Sequence, residues 1–383
     1  MIIQSKNVYF EEKFQPLQVE IKKDVITNIY QYNQFKVDKD YGDLLVLPGL
    51  CDSHVHGYGD GSVFDATKPW LKKWCKYLPN EGITSVVAGI SCHPLDKLMD
   101  AMKNIGDYMD NDNKVGAHII GVYEEGPFIC SGKERGAQAL EYQIIPTKKT
   151  IDEFNKACNG HMIYVMIAPE MLNGNYEVID YCRKLGMAVS LGHTGATFEV
   201  CAEAIKHGAN SFTHTYNGMK GLHHREPGVV GAAMYFDNCY AELIADGGHV
   251  NKVAANILAK CKGKDHLIIV TDSLSLKGRK AGVYKADDFG RNLTIGKDGI
   301  CRMDNGTLCG SVRKLNQNLA YAIKEEGIDY VTAINAVTIN PMRLFGINNK
   351  GLIKTGYKAD IAVFDKGYEV KAVYVDGKLQ KLA

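Results

Sequence analysis

Apolar residues along this chain fall into two textures. Residues 1–47 alternate with a period of two, in MIIQSKNVYF and FQPLQVEIKKDVITNIYQY, the pattern of short strands with one packed face. The last stretch, GLIKTGYKADIAVFDKGYEVKAVYVDGKL, has the same texture around a DGK turn. Neither end carries a core of its own, so the two are expected to complete one small β domain of residues 1–47 and 347–383. Between them, continuous apolar runs alternate with helix-like segments. The runs are LLVLPGL (44–50), ITSVVAGI (83–90), HIIGVYEE (118–125), MIYVMIAPE (162–170), MAVSLGH (187–193), NSFTHTYN (210–217), AELIAD (241–246) and HLIIVTDS (266–273). Several intervening helical patterns close at Gly, the common helix stop. Eight such units predict a (β/α)8 barrel over residues 48–346, a span that holds the usual size of about 250 residues. An open doubly wound sheet competes, but it does not need eight units, and no G-x-G-x-x-G follows the first run. The fold class is therefore α/β, a TIM-type barrel with a small β-sandwich domain built from both termini. The polar stretch 273–311 reads as a hairpin-bearing insertion, followed by a last helix in KLNQNLAYAIKEEG.

Composition narrows the functional class. The 383 residues include 45 Lys+Arg and 44 Asp+Glu, a formal charge of +1, which removes the electrostatic case for nucleic acid or an anionic membrane surface. No apolar stretch approaches the roughly 18 residues of a membrane span. The start, MIIQSKNVYFEEKF, lacks the layout of a signal peptide. The 11 Cys contain no C-x-x-C pair and read as reduced thiols, with Cys158, Cys182, Cys201 and Cys261 packing as small apolar groups. A cytoplasmic enzyme is expected.

Chemistry in a barrel of this kind sits at the C-terminal strand ends, and metal-capable residues gather there. The first run leads into His54 and His56, two apart, so both imidazoles face one side of an extended chain. The third ends in Glu124-Glu125, of which only one can face inward; the fifth ends at His193, the sixth carries His214, the seventh reaches His249 and the eighth ends at Asp272. Each alone has a plainer reading as a solvated or hydrogen-bonded side chain. Five of 12 His at predicted strand ends, with acids on two more, is a constellation. Imidazole and carboxylate donors suit Zn²⁺ or Fe²⁺ better than Mg²⁺ or Ca²⁺. A carboxylate not locked as a ligand serves as general base, and Asp272 is the candidate.

With GHTGAT, THTYNGM, HHREPG, ADGGHV and VTDS in order, and NPMRLFGINNKGLIKTGYKADIAVFD at the end, the chain resembles the N-acetylglucosamine-6-phosphate deacetylases of the amidohydrolase superfamily. That resemblance implies metal-assisted removal of an acetyl group from a phosphorylated N-acetyl amino sugar. It gives Glu125, His193 and His214 as principal metal ligands, choosing Glu125 over Glu124. His54 and His56 match a second-metal pair, so two ions per subunit are favoured. Asp272 matches the catalytic aspartate. Arg225 matches an arginine that reaches the phosphate of a neighbouring subunit's substrate, implying a homodimer. Asn217, Gly218 and His249 match substrate-contacting positions, as do Leu308 and Cys309 in a loop over the sugar. Gln138 stands where some relatives have His, and Cys309 where Ala is more usual. The galactosamine epimer, another amidohydrolase reaction and a metal-free scaffold are the competing readings.

Overall fold

The computed structural model describes residues 1–59, 61–286 and 291–382. Eight parallel strands form the barrel: β1 (Leu50–Val55), β2 (Ile83–Ile90), β3 (His118–Glu124), β4 (Met162–Ile167), β5 (Ala188–Leu191), β6 (Ser211–Phe212), β7 (Tyr240–Ile244) and β8 (Leu267–Val270). They pair in that order. The ring closes where β8 runs out beside β1. Thr271 donates to Asp52 from both its N–H (3.1 Å) and its hydroxyl (2.6 Å), the Asp272 N–H donates to the His54 carbonyl at 2.9 Å, and the His56 N–H donates to the Ser273 carbonyl at 2.8 Å. Barrel strands are apolar throughout because one face meets the interior and the other the helices. Every residue of β1 and β2 is buried.

The helices are α1 (Lys68–Tyr77), α2 (Leu95–Asn111), α3 (Lys148–Ala157), α4 (Glu177–Lys184), α5 (Phe198–Lys206), α6 (Gly228–Tyr235), α7 (Lys252–His266), α8 (Leu315–Lys324), α9 (Tyr330–Ala336) and α10 (Ile339–Leu344). Thr147, Thr197 and Asn251 start α3, α5 and α7 by accepting from the backbone N–H groups of Thr150, Val200 and Val253. In α1 the inward stripe is Leu71, Trp74 and Cys75, at helical spacing. No helix among the described residues is long and apolar enough to cross a membrane.

The chain ends share one sheet, in the order 378–379, 370–375, 361–364, 45–48, 2–10, 13–22 and 25–31, with the short Lys39–Asp40 strand also paired to 2–10. The strands share an apolar cluster drawn from both termini, including Ile3, Val8, Val19, Ile26, Val46, Ile361, Val363 and Tyr374. The DGK segment turns through Asp376 (φ 48°) and Gly377 (φ 71°), the left-handed pair that a two-residue hairpin demands.

Two expectations change. The run at 44–50 is two strands: Leu45–Pro48 joins the terminal sheet, and β1 begins only at Leu50. The break falls at Gly49, where a Cβ would lie 2.2 Å from the Thr84 hydroxyl oxygen, so the chain crosses between sheets at a point with no room for a side chain. Cys261 is exposed, whereas Cys158, Cys182 and Cys201 are buried; no disulfide forms among the described residues. In the 273–311 stretch, strands Gly282–Ala286, Arg291–Ile295 and Cys301–Met303 form an antiparallel sheet over Leu274 and Leu276; positions 287–290 of that insertion lie outside the described residues.

Candidate active site

Four imidazoles and two carboxylates converge at the C-terminal end of the barrel. The Glu125 Oε1 atom, just past β3, lies 3.1 Å from both His193 Nε2 and His214 Nε2, which are themselves 3.1 Å apart. Its Oε2 lies 3.1 Å from His56 Nε2, and His56 Nε2 lies 3.0 Å from His54 Nε2. Asp272 Oδ1 completes the group at 3.1 Å from His56 Nε2 and 3.5 Å from His54 Nε2. Glu124, the neighbour of Glu125, is also buried, but among the described residues neither of its carboxyl oxygens has a hydrogen-bond partner.

The opposite ring nitrogens explain why Nε2 faces inward in three of the four imidazoles; the Nδ1 of the fourth, His214, is buried with no hydrogen-bond partner among the described residues. His54 Nδ1 meets Glu242 Oε2 at 2.9 Å, His56 Nδ1 meets the Gly89 carbonyl at 2.9 Å, and His193 Nδ1 meets the Glu134 carbonyl at 3.3 Å. A carbonyl or carboxylate there holds the proton on Nδ1 and leaves an Nε2 lone pair for the centre. Glu242 was not singled out in the sequence. Its signal is a carboxylate inside the apolar strand β7, where an unpaired charge would be costly. The backbone is also forced here: His193 (φ 44°), His214 (φ 31°) and Asp272 (φ 50°) occupy left-handed conformations that non-glycine residues rarely adopt. Such strain is typical of residues whose placement is fixed by their chemistry.

The field at this point favours positive charge. Burial works against the charged form of His54 and His56, but Glu242, Glu125 and Asp272 outweigh it at His54, lifting it well above the usual imidazole range, and Glu125 and Asp272 lift His56 to about 9. Burial likewise pushes Glu125 and Asp272 up, and the imidazoles beside them more than reverse it. Two overlapping triples, His54–His56–Glu125 and Glu125–His193–His214, each bring their donor atoms within 4.8 Å of one another. Nitrogen and carboxylate donors at such spacing fit a divalent transition ion.

The remaining predicted residues fall at different distances from this centre. Gln138 accepts from the Cys92 N–H through Oε1 (2.8 Å) and donates from Nε2 to Glu125 at 3.1 Å, so its amide faces the cluster. Gly218 (φ 57°) passes so near His193 that a Cβ would lie 2.9 Å from its Nδ1, and adjacent Asn217 donates to the His214 carbonyl at 3.2 Å. The His249 side chain is buried after β7, its Nδ1 meeting Asp246 Oδ2 at 2.8 Å. Leu308 bridges to Arg302 in the insertion, Cys309 is buried in the insertion's own apolar cluster, and the Ser311 N–H donates to the Asp272 carbonyl at 2.9 Å. Arg225 stands apart. It lies on an exposed loop and, among the described residues, meets only His223 and His224.

Residues 45–380 match the Amidohydrolase family. The chain belongs to that family. It is 32% identical over 331 residues to N-acetylglucosamine-6-phosphate deacetylase of Bacillus subtilis, covering 86% of this chain and 82% of that one. It is 30% identical over 336 residues to N-acetylgalactosamine-6-phosphate deacetylase of Escherichia coli O157:H7, covering 88% and 87%. Among solved structures, a mutant N-acetyl-D-glucosamine-6-phosphate deacetylase from Mycobacterium smegmatis, in complex with N-acetyl-D-glucosamine-6-phosphate, superposes with a TM-score of 0.90 at 25% identity over 100% of this chain and 99% of that one. After β4, Glu170 accepts from the Thr194 hydroxyl and from the Gly195 N–H (2.7 Å). That pair of bonds ties down the loop behind His193.

Proposed function

We propose that this amidohydrolase removes the acetyl group from N-acetylglucosamine 6-phosphate, giving glucosamine 6-phosphate and acetate, in the cytoplasm. The observation that carries the reading is the convergence of four Nε2 atoms on Glu125 within contact of Asp272. Glu125, His193 and His214 would hold one divalent ion, Zn²⁺ or Fe²⁺, and His54, His56 and Glu125 a second. When bound, such an ion supplies Lewis-acid polarisation of the acetamide carbonyl and acidifies water. Asp272, held below the ordinary aspartate range, is ionised at neutral pH and takes the proton of the attacking water. The protonated Asp272 then delivers that proton to the departing nitrogen, because an amine anion does not leave. Gln138, Asn217, Gly218, His249, Leu308 and Cys309 would line the sugar. Arg225, reaching across a homodimer, would hold the phosphate bidentately. The 30% identity to a galactosamine-epimer deacetylase supports that epimer as the second reading.

The test is acetate release from both sugar phosphates, with the protein as purified, after chelation and after metal restoration. Release from the gluco epimer that chelation abolishes and metal restores is expected. No release from it by fully metallated protein overturns the proposal, and release from the galacto epimer alone moves the assignment to the second reading.

A further inference from the structure

Glu242 is a charged side chain with no exposure, in the middle of an apolar strand, and it takes no part in the chemistry assigned above. Its two oxygens are fully used. Oε2 accepts from His54 Nδ1 (2.9 Å) and from the His214 backbone N–H (3.0 Å), and Oε1 accepts from the Tyr164 hydroxyl (3.0 Å). One atom therefore joins the ring of His54, near the end of β1, to the backbone of His214, after β6. His54 belongs to one donor triple and His214 to the other. Tyr164 is anchored in turn at 2.8 Å from Ser211 on β6.

We propose that Glu242 is a positioning residue that makes the two donor triples one unit, fixing the His54 tautomer and the His214 backbone together. It rests on the metal-site reading above. Without an acceptor at Nδ1, the His54 proton is free to move to Nε2, which would turn a donor atom for a cation into an N–H. A glutamine keeps an acceptor oxygen where Oε2 stands, and its amide group can donate to the Tyr164 hydroxyl, which then donates to Ser211. A leucine keeps the volume and removes the acceptor.

The experiment compares wild type, Glu242→Gln, Glu242→Leu and Tyr164→Phe. Bound Zn²⁺ per chain and its Kd are measured alongside melting curves. Loss of a partner that orients a metal-binding histidine typically costs roughly 10–100-fold in metal affinity. We expect that loss in Glu242→Leu, near-wild-type affinity in Glu242→Gln, and no loss in Tyr164→Phe, which disturbs the same cavity without freeing His54. In parallel, ¹⁵N-histidine NMR of zinc-loaded wild type, with the His54 signals identified by their absence in His54→Gln, should show the proton on Nδ1. The NMR reading stands even if the leucine variant does not fold. Wild-type affinity in Glu242→Leu, an equal loss in Glu242→Gln, or a His54 proton on Nε2 would each overturn the proposal. Failure of the wild type to bind Zn²⁺ would instead overturn the metal-site reading itself.

Discussion

Gly218→Ala is the perturbation whose consequences the structure defines most closely. A Cβ there would lie 2.8 Å from the Glu134 carbonyl oxygen and 2.9 Å from His193 Nδ1, on a backbone with φ of 57°. The left-handed conformation alone costs about 1–2 kcal/mol for a residue with a side chain. Non-bonded contacts settle near ~3.5 Å, so the imidazole must retreat by about half an ångström. Metal–ligand distances tolerate only about 0.2 Å, and the Nε2 of that same ring lies 3.1 Å from both Glu125 and His214. The expected result is a melting temperature lower by about 1–3 °C, with bound metal reduced and acetate release down by on the order of 10²-fold. Gly221→Ala is the control, because nothing lies within 4 Å of a Cβ at that position. Full metal content and wild-type turnover in Gly218→Ala would refute the argument that this glycine exists to make room for His193.

Three further outcomes follow from other parts of the molecule. Asp272→Asn should keep its metal and lose at least ~10²-fold in turnover, the scale of a lost general acid/base; a near-wild-type rate removes Asp272 from proton transfer. Arg225→Ala should raise KM for the sugar phosphate by on the order of tenfold or more through the lost charged contact, and an unchanged KM would take phosphate recognition away from it. Glu326 is buried with neither carboxyl oxygen hydrogen-bonded among the described residues; burial first and Asp246 second push it up to about 8. The folded chain then keeps a proton that the unfolded chain gives up near the ordinary glutamate value. Stability should therefore fall as pH rises from about 4.5 to 8, by on the order of 4 kcal/mol. Glu326→Gln should flatten that slope in urea titrations, and parallel pH profiles for the two proteins would rule out Glu326 as its source.

The barrel was legible because its strands are buried on both faces and so stand out as continuous apolar runs between helical patterns. The cluster of His, Glu and Asp was legible because polar side chains at strand ends fall at the edges of those runs. The same continuity hid the switch at Gly49, since two consecutive strands that are both buried look like one. Glu242 was missed for a related reason. Its partners come from β1, β4 and β6, all distant in sequence, and only the assembled interior shows that its charge is satisfied. The short helices α9 and α10 lie in VTAINAVTINPMRLF, where apolar residues on every side erase the amphipathic period. Cys261 follows the α7 pattern yet faces solvent, near the non-helical Gly263.

The shared terminal sheet sets an order of events during synthesis. Strand 45–48 pairs with 361–364, so its partner leaves the ribosome roughly 300 residues later. At about 5–20 residues per second that interval is roughly 15–60 s. For that time the strands at 2–31 and 45–48 have an open edge and an apolar face lacking Ile361, Val363 and Tyr374. The amino-terminal segment thus keeps that edge and face uncovered during synthesis, until the strand at 361–364 pairs with it.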